Sequence, residues 1–591
     1  MVSPNQGIAM AGPRAPTFAS SPILIVADAT LYDRARMIAE LAVGSEQCDD
    51  AIIRHAYRRW GPACFAHLNG DFAVALWDGE REVLVLARDI AGLRPLHLKW
   101  RVDGVDFASM PQPLATANGA RAAPDLDRWL RYHTLLPQTG PASFFDGIER
   151  VEPGETLVIS RSSVERLRSW IAPQADHRID FQSAVRAMRS TIDLAVADRI
   201  AGITGPLSAQ LSAGMDSSAV VASAASLTDA PIHAFTGVPA AGSPAELPLN
   251  YFADESQIAA ATAGLYPNVI HHRVQSSLEP TLAYADRWGD LSGQPFRSYG
   301  NFGWIEATSF GAAQCGSREI LSGNFGNISF SYDGFAAIPE ALCAGQLRRW
   351  ARLTAGAKRE PGVRWRGALA RSLPAFLSPV RLAALMGLLG KEREVDGFAD
   401  TFLNPRHPMI RALRDEAQHV PMLSAATRSG HDARVPLMHW IDNGCFNHGA
   451  RLYTGIEQRD PTADRRVIDL SFTLPTHLFI DNGRPRSLAI EVLNGRVAPE
   501  VLTPVKGVQG QDWHLSFAQS VGEMRQEVAR LRDHRRLAEL LDLDAIDLSL
   551  DDWQRDPSAA RGDFVRFELI SRAVCGARWA RRLLDGESRH G

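Results

Sequence analysis

The chain has 591 residues, of which 45% are hydrophobic and 22% charged, and its formal net charge is -4. This length exceeds what one hydrophobic core usually organises, so two domains are expected. The charge balance gives no sign of a nucleic-acid partner. No apolar run reaches the length of a membrane span. The six cysteines form no CxxC pair, which argues against a zinc site or a disulfide framework. We therefore expect a cytoplasmic protein with no nucleic-acid or membrane partner.

The first part of the chain has the pattern of an antiparallel domain. Residues 1–21 form a lead rich in Pro, Ala and Ser. In residues 22–165, apolar segments at 72–77 and 82–87 flank Asp78-Gly79, which predicts a β-hairpin. Further strands are predicted at 96–100 and after the Pro153-Gly154 turn. Together these patterns predict an α+β domain.

The pattern changes in the second part, residues 180–591. Residues 181–200 place apolar side chains at helical spacing, and a short apolar strand follows at 207–211. A turn of small residues and an Ala/Val-rich helix come next, the order that opens a parallel α/β unit. Helical patterns dominate the remainder. Residues 564–584 predict a helix whose arginines we expect on a solvated face.

The sharpest local motif is the segment LSAGMDSSAV, which begins at Leu211. A strand that ends in small residues before a helix points backbone N–H groups at an anion, and Asp216 can hold Mg²⁺ between phosphates. An ordinary Ser/Gly helix cap is the alternative. The segment resembles the SGGxDS loop of ATP pyrophosphatases, with Ala213 in place of the first glycine. That resemblance implies that ATP contacts Leu211, Ser212, Ala213, Gly214, Met215, Asp216, Ser217 and Ser218.

Several other segments resemble asparagine synthetases, in the right order along the chain. They are FTGV (235–238), ADES (253–256), ILSGNFGNISFSYDG (320–334), EQRDPTAD (457–464) and VLTPVKGVQ (501–509). Three earlier segments resemble the glutaminase domain of the same enzymes: LNGDFAVALWD (68–78), LARDIAGLRPLHL (86–98) and FFDGIERVEPGETL (144–157). The resemblance implies an α+β N-terminal Ntn-hydrolase-like (class II glutaminase-like) domain. An α/β ATP-pyrophosphatase synthetase domain of the adenine nucleotide α hydrolase-like fold would follow it.

The resemblance also implies site residues, with ATP and Mg²⁺ as cofactors. Lys506 and Asp216 would be catalytic, and Asp216 and Asn327 would lie at the metal. Further ATP contacts are implied for Gly237, Ser322, Gly323 and Asn324. Supporting roles are implied for Asp254, Glu255, Glu457, Arg459 and Asp464. For Asp254 and Glu255 a helix cap is the alternative, and for Arg459 and Asp464 a structural ion pair.

The first departure from the family lies at position 2. Class II glutaminases use a cysteine there, whose thiol and α-amine form the nucleophile and base. This chain has Val2, and its first cysteine is Cys48. We therefore expect an inactive glutaminase domain. Relatives without this cysteine, such as β-lactam synthetases and lasso peptide cyclases, use an amine already present in the substrate.

The second departure lies in the synthetase domain. Asn327 and Ile328 occupy the positions of the family's Asp-Glu pair, and Arg486 and Ile490 replace a lysine and an arginine. The form GNFGNISFSYDG and the Gly-x-Gln and Asp-Trp after Lys506 resemble cyclases of proteobacterial lasso peptide clusters. The nearby aromatic residues Phe325, Phe330 and Tyr332 fit a peptide channel or a core equally well.

The resemblance implies a lasso peptide cyclase. Such an enzyme adenylates an Asp or Glu side chain of a leaderless precursor peptide and joins it to the peptide's N-terminal amine. The implied partners are the core peptide and a leader peptidase or leader-binding protein. The alternatives are a β-lactam-synthetase-like enzyme, an ammonia-dependent asparagine synthetase, or an inactive peptide-binding scaffold.

Overall fold

In a computed structural model of the chain, the structure describes residues 2–3, 8–9, 22–120, 122–134, 136, 138–241, 243, 251–358, 365–377, 381, 385, 401–417, 427–503, 506–507, 510, 512–555 and 563–587. In this part of the chain, no helix is long and apolar enough to cross a membrane.

A five-stranded antiparallel sheet forms the centre of the N-terminal domain. After a short pair, β1 (Val2–Ser3) and β2 (Ile8–Ala9), its strands are β3 (Ile23–Leu31), β4 (Gly70–Asp78), β5 (Val83–Arg88), β9 (Glu155–Ile159) and β10 (Val164–Arg168). The spatial order is β10-β9-β5-β4-β3. The hairpin predicted from Asp78-Gly79 is confirmed, since Asp78 pairs with Val83 across the turn.

Both faces of this sheet are covered, which explains its apolar strands. The helices α1 (Arg34–Leu41) and α2 (Asp49–Trp60) pack on one face, where Ile52 and Ile53 are fully buried. The other face packs with a second sheet around Leu86 and Leu98. The strands of that sheet are β6 (His97–Trp100), β7 (Val105–Ala108) and β8 (Glu149–Arg150), and the helices α3 (Pro111–Thr116) and α4 (Leu126–His133) complete the domain. The α+β prediction is confirmed.

A parallel sheet organises the second part of the chain. It follows helix α5 (Phe181–Ala201) and has the spatial order β14-β12-β11-β15-β16. Its strands are β11 (Leu207–Gln210), β12 (Ile232–Val238), β14 (Val269–Gln275), β15 (Glu319–Leu321) and β16 (Glu457–Arg459), and helices α6 (Met215–Leu227), α7 (Ser256–Ala263) and α9 (Phe302–Gln314) pack beside it. Because all pairs are parallel, the carboxyl ends of the strands share one edge, where ligands bind in open α/β sheets.

The remaining helices and short strands of this part of the chain lie between residues 251 and 585. The helices are α8 (Thr281–Ser292), α10 (Ala337–Cys343), α11 (Leu347–Ala357), α12 (Trp365–Ala370), α13 (Pro408–Ala417), α14 (Gly430–Trp440), α15 (Gly444–Thr454), α16 (Arg465–Thr473), α17 (Ser487–Leu493), α18 (Trp513–Asp533), α19 (Arg535–Ala538), α20 (Leu543–Arg555) and α21 (Phe564–Asp585). Short strands are β13 (Tyr251–Phe252), β17 (Ile480–Asp481), β18 (Arg484–Pro485) and β19 (Lys506–Gly507).

The expectation of a solvated arginine face on the last helix is wrong. Helix α21 lies inside the largest apolar cluster, and Arg581 is only 6% exposed. Its Nε donates to Glu527 Oε1 at 2.6 Å, and Arg578 pairs with Asp286 at 2.7 Å. A sequence pattern shows the arginines but not the carboxylates that neutralise them from other helices.

Candidate active site

The predicted nucleotide-binding segments meet at the carboxyl edge of the parallel sheet. The loop that begins at Leu211 follows β11, and Ser322 follows β15, which pairs with β11. Ser322 is buried, and its backbone N–H donates to the carbonyl of Arg459 at 2.9 Å. Gly237 lies in β12 at the same edge, where a Cβ would approach Trp304 Cβ to 2.8 Å. The topology therefore brings together segments that lie more than a hundred residues apart.

Serine hydroxyls hold the loop between β11 and α6 in shape. Ser217 Oγ accepts from the backbone N–H of Ser212 at 3.1 Å, and the two hydroxyls lie 2.8 Å apart. Ser218 Oγ donates to the carbonyl of Ser212 at 3.2 Å. Helix α6 then begins at Met215, after Gly214, which has no side chain to cap it. The amides in the first turn of a helix lack intrahelical partners, and such amides can bind an anion such as phosphate.

Asp216 lies in the first turn of α6, directly against the segment that follows β15. A Cβ on Gly326 would lie 2.3 Å from Asp216 Cγ, and one on Gly323 would lie 2.6 Å from the Asp216 carbonyl carbon. Both glycines are therefore required by close approach, not by backbone conformation. Asp216 Oδ1 is buried with no hydrogen-bond partner among the described residues. Burial raises the pKa of Asp216 to about 6, although the Ser331 hydroxyl and the Arg486 charge act in the opposite direction.

The carboxylates near the loop offer the type of donor atom that a magnesium ion prefers. Mg²⁺ prefers oxygen ligands, one or two of them carboxylates, with the phosphates and water. Asp216 Oδ1 is a buried oxygen with no protein partner, and the buried Glu255 accepts from the backbone N–H of Ala213 at 3.0 Å. By contrast, the amide oxygen of Asn327 accepts from Arg486 Nη2 at 2.8 Å. The metal role of Asn327 stays a prediction, and it requires the arginine to move away.

Arg486 is the site residue whose position could not be deduced from the sequence. In the sequence, Arg486 is recognisable only as the residue that replaces a lysine of the asparagine synthetases. In the structure it precedes α17 with a positive φ of 59°, and its guanidinium reaches Asn327 and influences Asp216. A cation next to the phosphate loop suits a triphosphate.

Two neighbouring acidic residues separate into different environments. Asp254 accepts from the backbone N–H of Ser256 at 2.9 Å and pairs with the exposed Arg273 at 3.2 Å. It therefore acts at the start of α7. Glu255 instead faces the loop. The N-cap position of α7 is Glu255, whose side chain does not cap the helix, and a site role stays a prediction for both residues.

The segment of Lys506 runs beside the loop. The strand Lys506–Gly507 pairs in parallel with Tyr251–Phe252. A Cβ on Gly507 would lie 2.2 Å from Glu255 Oε1. The side chain of Lys506 lies outside the described residues, so its catalytic role remains a prediction. Asn324 is exposed, and its amide lies 3.4 Å from Gln458 Oε1.

The segment 457–464 joins the two domains. Asp464 pairs with Arg199 at 2.7 Å, both side chains being buried, and it accepts from Asn69 Nδ2 at 3.1 Å. Its pKa is lowered to about 2 by Arg199 and Arg466, which outweigh the effect of burial. Arg459 pairs with Glu319 at 3.1 Å, and Glu457 pairs with Arg94 of the N-terminal domain. The structure thus shows these residues in ion pairs, and their supporting role at the site stays a prediction.

Comparisons with known proteins agree with this arrangement. Residues 16–171 match a glutamine amidotransferase domain, and residues 187–573 match the asparagine synthase family, which covers well over half of the chain. The chain belongs to the asparagine synthase family.

Similar proteins include asparagine synthetase [glutamine-hydrolyzing] 3 of Bacillus subtilis strain 168, with 28% identity over 38% of this chain and 38% of that protein. Amidase chyE of Penicillium rubens is 27% identical over 34% of this chain and 30% of its own length. A putative asparagine synthetase [glutamine-hydrolyzing] 2 of Methanocaldococcus jannaschii is 22% identical over 36% of this chain and 42% of that protein. The chain thus spans less than half the length of these curated relatives.

Among solved structures, glutamine phosphoribosylpyrophosphate amidotransferase of B. subtilis is similar over 36% of this chain and 45% of that chain. The identity is 14% and the TM-score 0.19, so this similarity carries no argument.

Proposed function

We propose that this member of the asparagine synthase family is an ATP-dependent lasso peptide cyclase. It activates an Asp or Glu side chain of a leaderless precursor peptide and joins that side chain to the peptide's own N-terminal amine. The products are a macrolactam, AMP and pyrophosphate. Family membership supports the broader activity, an ATP-dependent amide-forming ligase.

The observation that carries the proposal is the Asn327–Arg486 pair beside Asp216. Asparagine synthetases have a carboxylate where this chain has Asn327, and here that amide oxygen accepts from a guanidinium at 2.8 Å. The site keeps the loop, Asp216 and Lys506 but replaces a metal-ligand carboxylate by a neutral–cationic pair. The same replacement, with its flanking residues, is what resembles the lasso cyclases.

The chemistry has two steps. The substrate carboxylate oxygen attacks the α-phosphorus of ATP, and the bond to the bridging β-phosphate oxygen breaks, which releases pyrophosphate. The N-terminal amine then attacks the acyl carbon, the C–O bond to AMP breaks, and the amine loses a proton to solvent. Mg²⁺, held by Asp216 with help from Glu255, would neutralise phosphate charge.

The residues of the chain position and stabilise these groups. The first-turn amides of α6 and Arg486 bind the departing pyrophosphate, and Lys506 stabilises negative charge at the α-phosphate and the acyl oxygen. Glu255 holds the loop through the N–H of Ala213. Positioning matters most, because the peptide must be threaded before its ring closes; such pre-organisation contributes about 7–11 kcal/mol in favourable cases.

The N-terminal domain would act as a scaffold in this proposal. The described residues of this domain contain two cysteines, Cys48 and Cys64. Cys64 is buried, and burial raises its pKa far above its usual value, so it stays a thiol. In the proposed reaction, the amine comes from the substrate.

An ammonia-dependent asparagine synthetase is the second candidate. The asparagine synthetases among the curated relatives favour it. It differs from a cyclase in its substrate, because a small amino acid, and no peptide, would be consumed with ATP. A β-lactam-synthetase-like enzyme would likewise consume a small carboxylate. In an inactive scaffold, no catalytic function would favour the presence of both Asp216 and Lys506.

ATP–pyrophosphate exchange with purified protein tests these alternatives. We expect exchange that depends on a leaderless precursor peptide, is abolished in Asp216→Ala, and is accompanied by a peptide mass loss of one water. A Lys506→Ala variant should bind ATP but exchange poorly. Exchange driven by aspartate alone would support the synthetase, and the absence of exchange with precursor peptides encoded beside the gene would rule out the cyclase. A leader peptidase or leader-binding partner is proposed to deliver the peptide, and adding it should raise the rate.

A further inference from the structure

A polar cavity lies between the two domains, away from the loop that begins at Leu211. Its volume is about 70 Å³. Arg128, Arg150 and Gln138 line it from the N-terminal domain, and Gln294 and Asp442 line it from the synthetase domain. Sites for nucleotides and similar ligands are several times larger, so this cavity suits only a small species.

The arginines around this cavity outnumber the carboxylates. Asp442 pairs with Arg88 at 2.8 Å and with Arg150 at 2.8 Å. Arg128 is 4% exposed and forms no ion pair within the described residues. Its Nη1 donates to the carbonyl of Thr139 at 3.4 Å, and its Nε is buried without a partner. Among the side chains that line the cavity, the guanidinium groups of Arg128 and Arg150 stand against the single carboxylate of Asp442, which leaves one positive charge.

The other titratable side chains that line the cavity add no negative charge. His97 donates from Nδ1 to the carbonyl of Ser109 at 2.8 Å, and burial lowers its pKa to about 4, so the ring is neutral. Burial also raises the pKa of the Cys445 thiol to about 12, so no thiolate forms at neutral pH. The excess positive charge therefore remains.

A buried guanidinium cannot remove its positive charge by losing a proton, because arginine stays charged in proteins. An unpaired buried ion is strongly unfavourable, and a counter-ion removes the penalty. We propose that the cavity binds one small anion, a halide or a phosphate-sized oxyanion, between Arg128 and Arg150. Because both domains line the cavity, the anion acts as a link between the N-terminal domain and the synthetase domain. This site is independent of the proposed cyclase activity.

Thermal unfolding of the full chain at constant ionic strength tests the proposal. Sodium gluconate, whose anion is too large for the cavity, is replaced stepwise by chloride or by phosphate. We expect one or both to raise the Tm by about 2 °C or more at saturation, since a ligand that binds only the folded state stabilises it. The rise should be lost in Arg128→Met and kept in Arg131→Met. Arg131 lies one turn along the same helix but pairs with Glu416 at 2.7 Å, so it is a matched control.

Two results would overturn the proposal. One is a wild-type Tm that is the same in all three anions, and the other is an equal rise in Arg128→Met. Should Arg128→Met fail to fold, crystals of the wild-type protein soaked in bromide or arsenate decide the question. Anomalous density in contact with Arg128 is expected for at least one of them, and density for neither at this position refutes an anion site.

Discussion

The carboxylate of Asp216 lies in an environment that does not stabilise its negative charge. A carboxylate near a helix N-terminus is normally favoured. Here burial against Gly323 and Gly326 leaves Oδ1 without a hydrogen bond and raises the pKa to about 6. A ligand that brings a cation to this oxygen would satisfy it. In the ligand-free protein this unsatisfied carboxylate lowers the stability of the fold, and such destabilising groups are common at functional sites.

We predict that Asp216→Asn stabilises the ligand-free protein while abolishing ATP–pyrophosphate exchange. The pKa of Asp216 is raised in the folded state, so its charge opposes folding above about pH 6, and a neutral isostere removes a penalty of about 1–3 kcal/mol. Urea unfolding at pH 8 measures the change. A loss of stability in Asp216→Asn would show that the carboxylate is satisfied by the protein.

The same pKa predicts a pH dependence of the exchange reaction. Only the ionised carboxylate holds Mg²⁺, so Mg²⁺-dependent exchange should rise about tenfold per pH unit below pH 6 and level off above it. The rate between pH 5 and 8 at ATP and Mg²⁺ concentrations well below saturation provides the test, because it then follows the ionisation of the free enzyme. Exchange that stays constant over this interval would mean that Asp216 is already ionised at pH 5.

At the scale of elements, the site depends on how closely the segment after β15 packs on the start of α6. Gly326→Ala places a methyl group 2.3 Å from Asp216 Cγ, so the Asp216 carboxylate or the segment that carries Gly326 must shift. We expect a rise of at least tenfold in the KM for ATP with only a modest loss of stability. Gly522→Ala is the control, because its Cβ meets nothing within 4 Å and helix α18 should gain about 1 kcal/mol. Equal KM values in both variants would show that the loop tolerates this displacement.

At the scale of the whole molecule, a buried ion pair of the synthetase domain also contacts the N-terminal domain. Arg199 of α5 pairs with Asp464, which also accepts from Asn69 of the N-terminal domain. We predict that Arg199→Met destabilises the chain by about 3 kcal/mol, because a buried carboxylate loses its principal partner. Arg36→Met, which removes an exposed pair with Glu40, should change stability by less than about 1 kcal/mol. Chemical unfolding compares the two, and equal effects would contradict the assignment.

This pair also predicts an acid-sensitive step. The pKa of Asp464 is about 2 in the folded state, below its ordinary value of 3.8. Its contribution is therefore complete above about pH 4 and is lost as the pH falls towards 2. Tm measured between pH 2 and 5 should fall less steeply in Asp464→Asn than in the wild type. Parallel curves would assign the acid transition to other carboxylates.

Local sequence determined the parts of this protein that depend on neighbouring residues. The turn at Asp78-Gly79, the helix from Phe181 and the strand–loop–helix order around Leu211 follow from residue patterns of a few positions, and the structure confirms each. The family and the order of its domains also follow from the sequence, because motifs are contiguous in the chain.

Other features depend on contacts between residues far apart in the sequence, and only the tertiary structure decided them. Phe325 and Phe330, which fitted a channel or a core equally well, are buried in the core. Two arginines of α21, Arg578 and Arg582, pair with Asp286, which lies nearly three hundred residues earlier in the chain. The Asn327–Arg486 contact joins positions 159 residues apart. Charge compensation depends on distance in space, and a sequence records only distance along the chain.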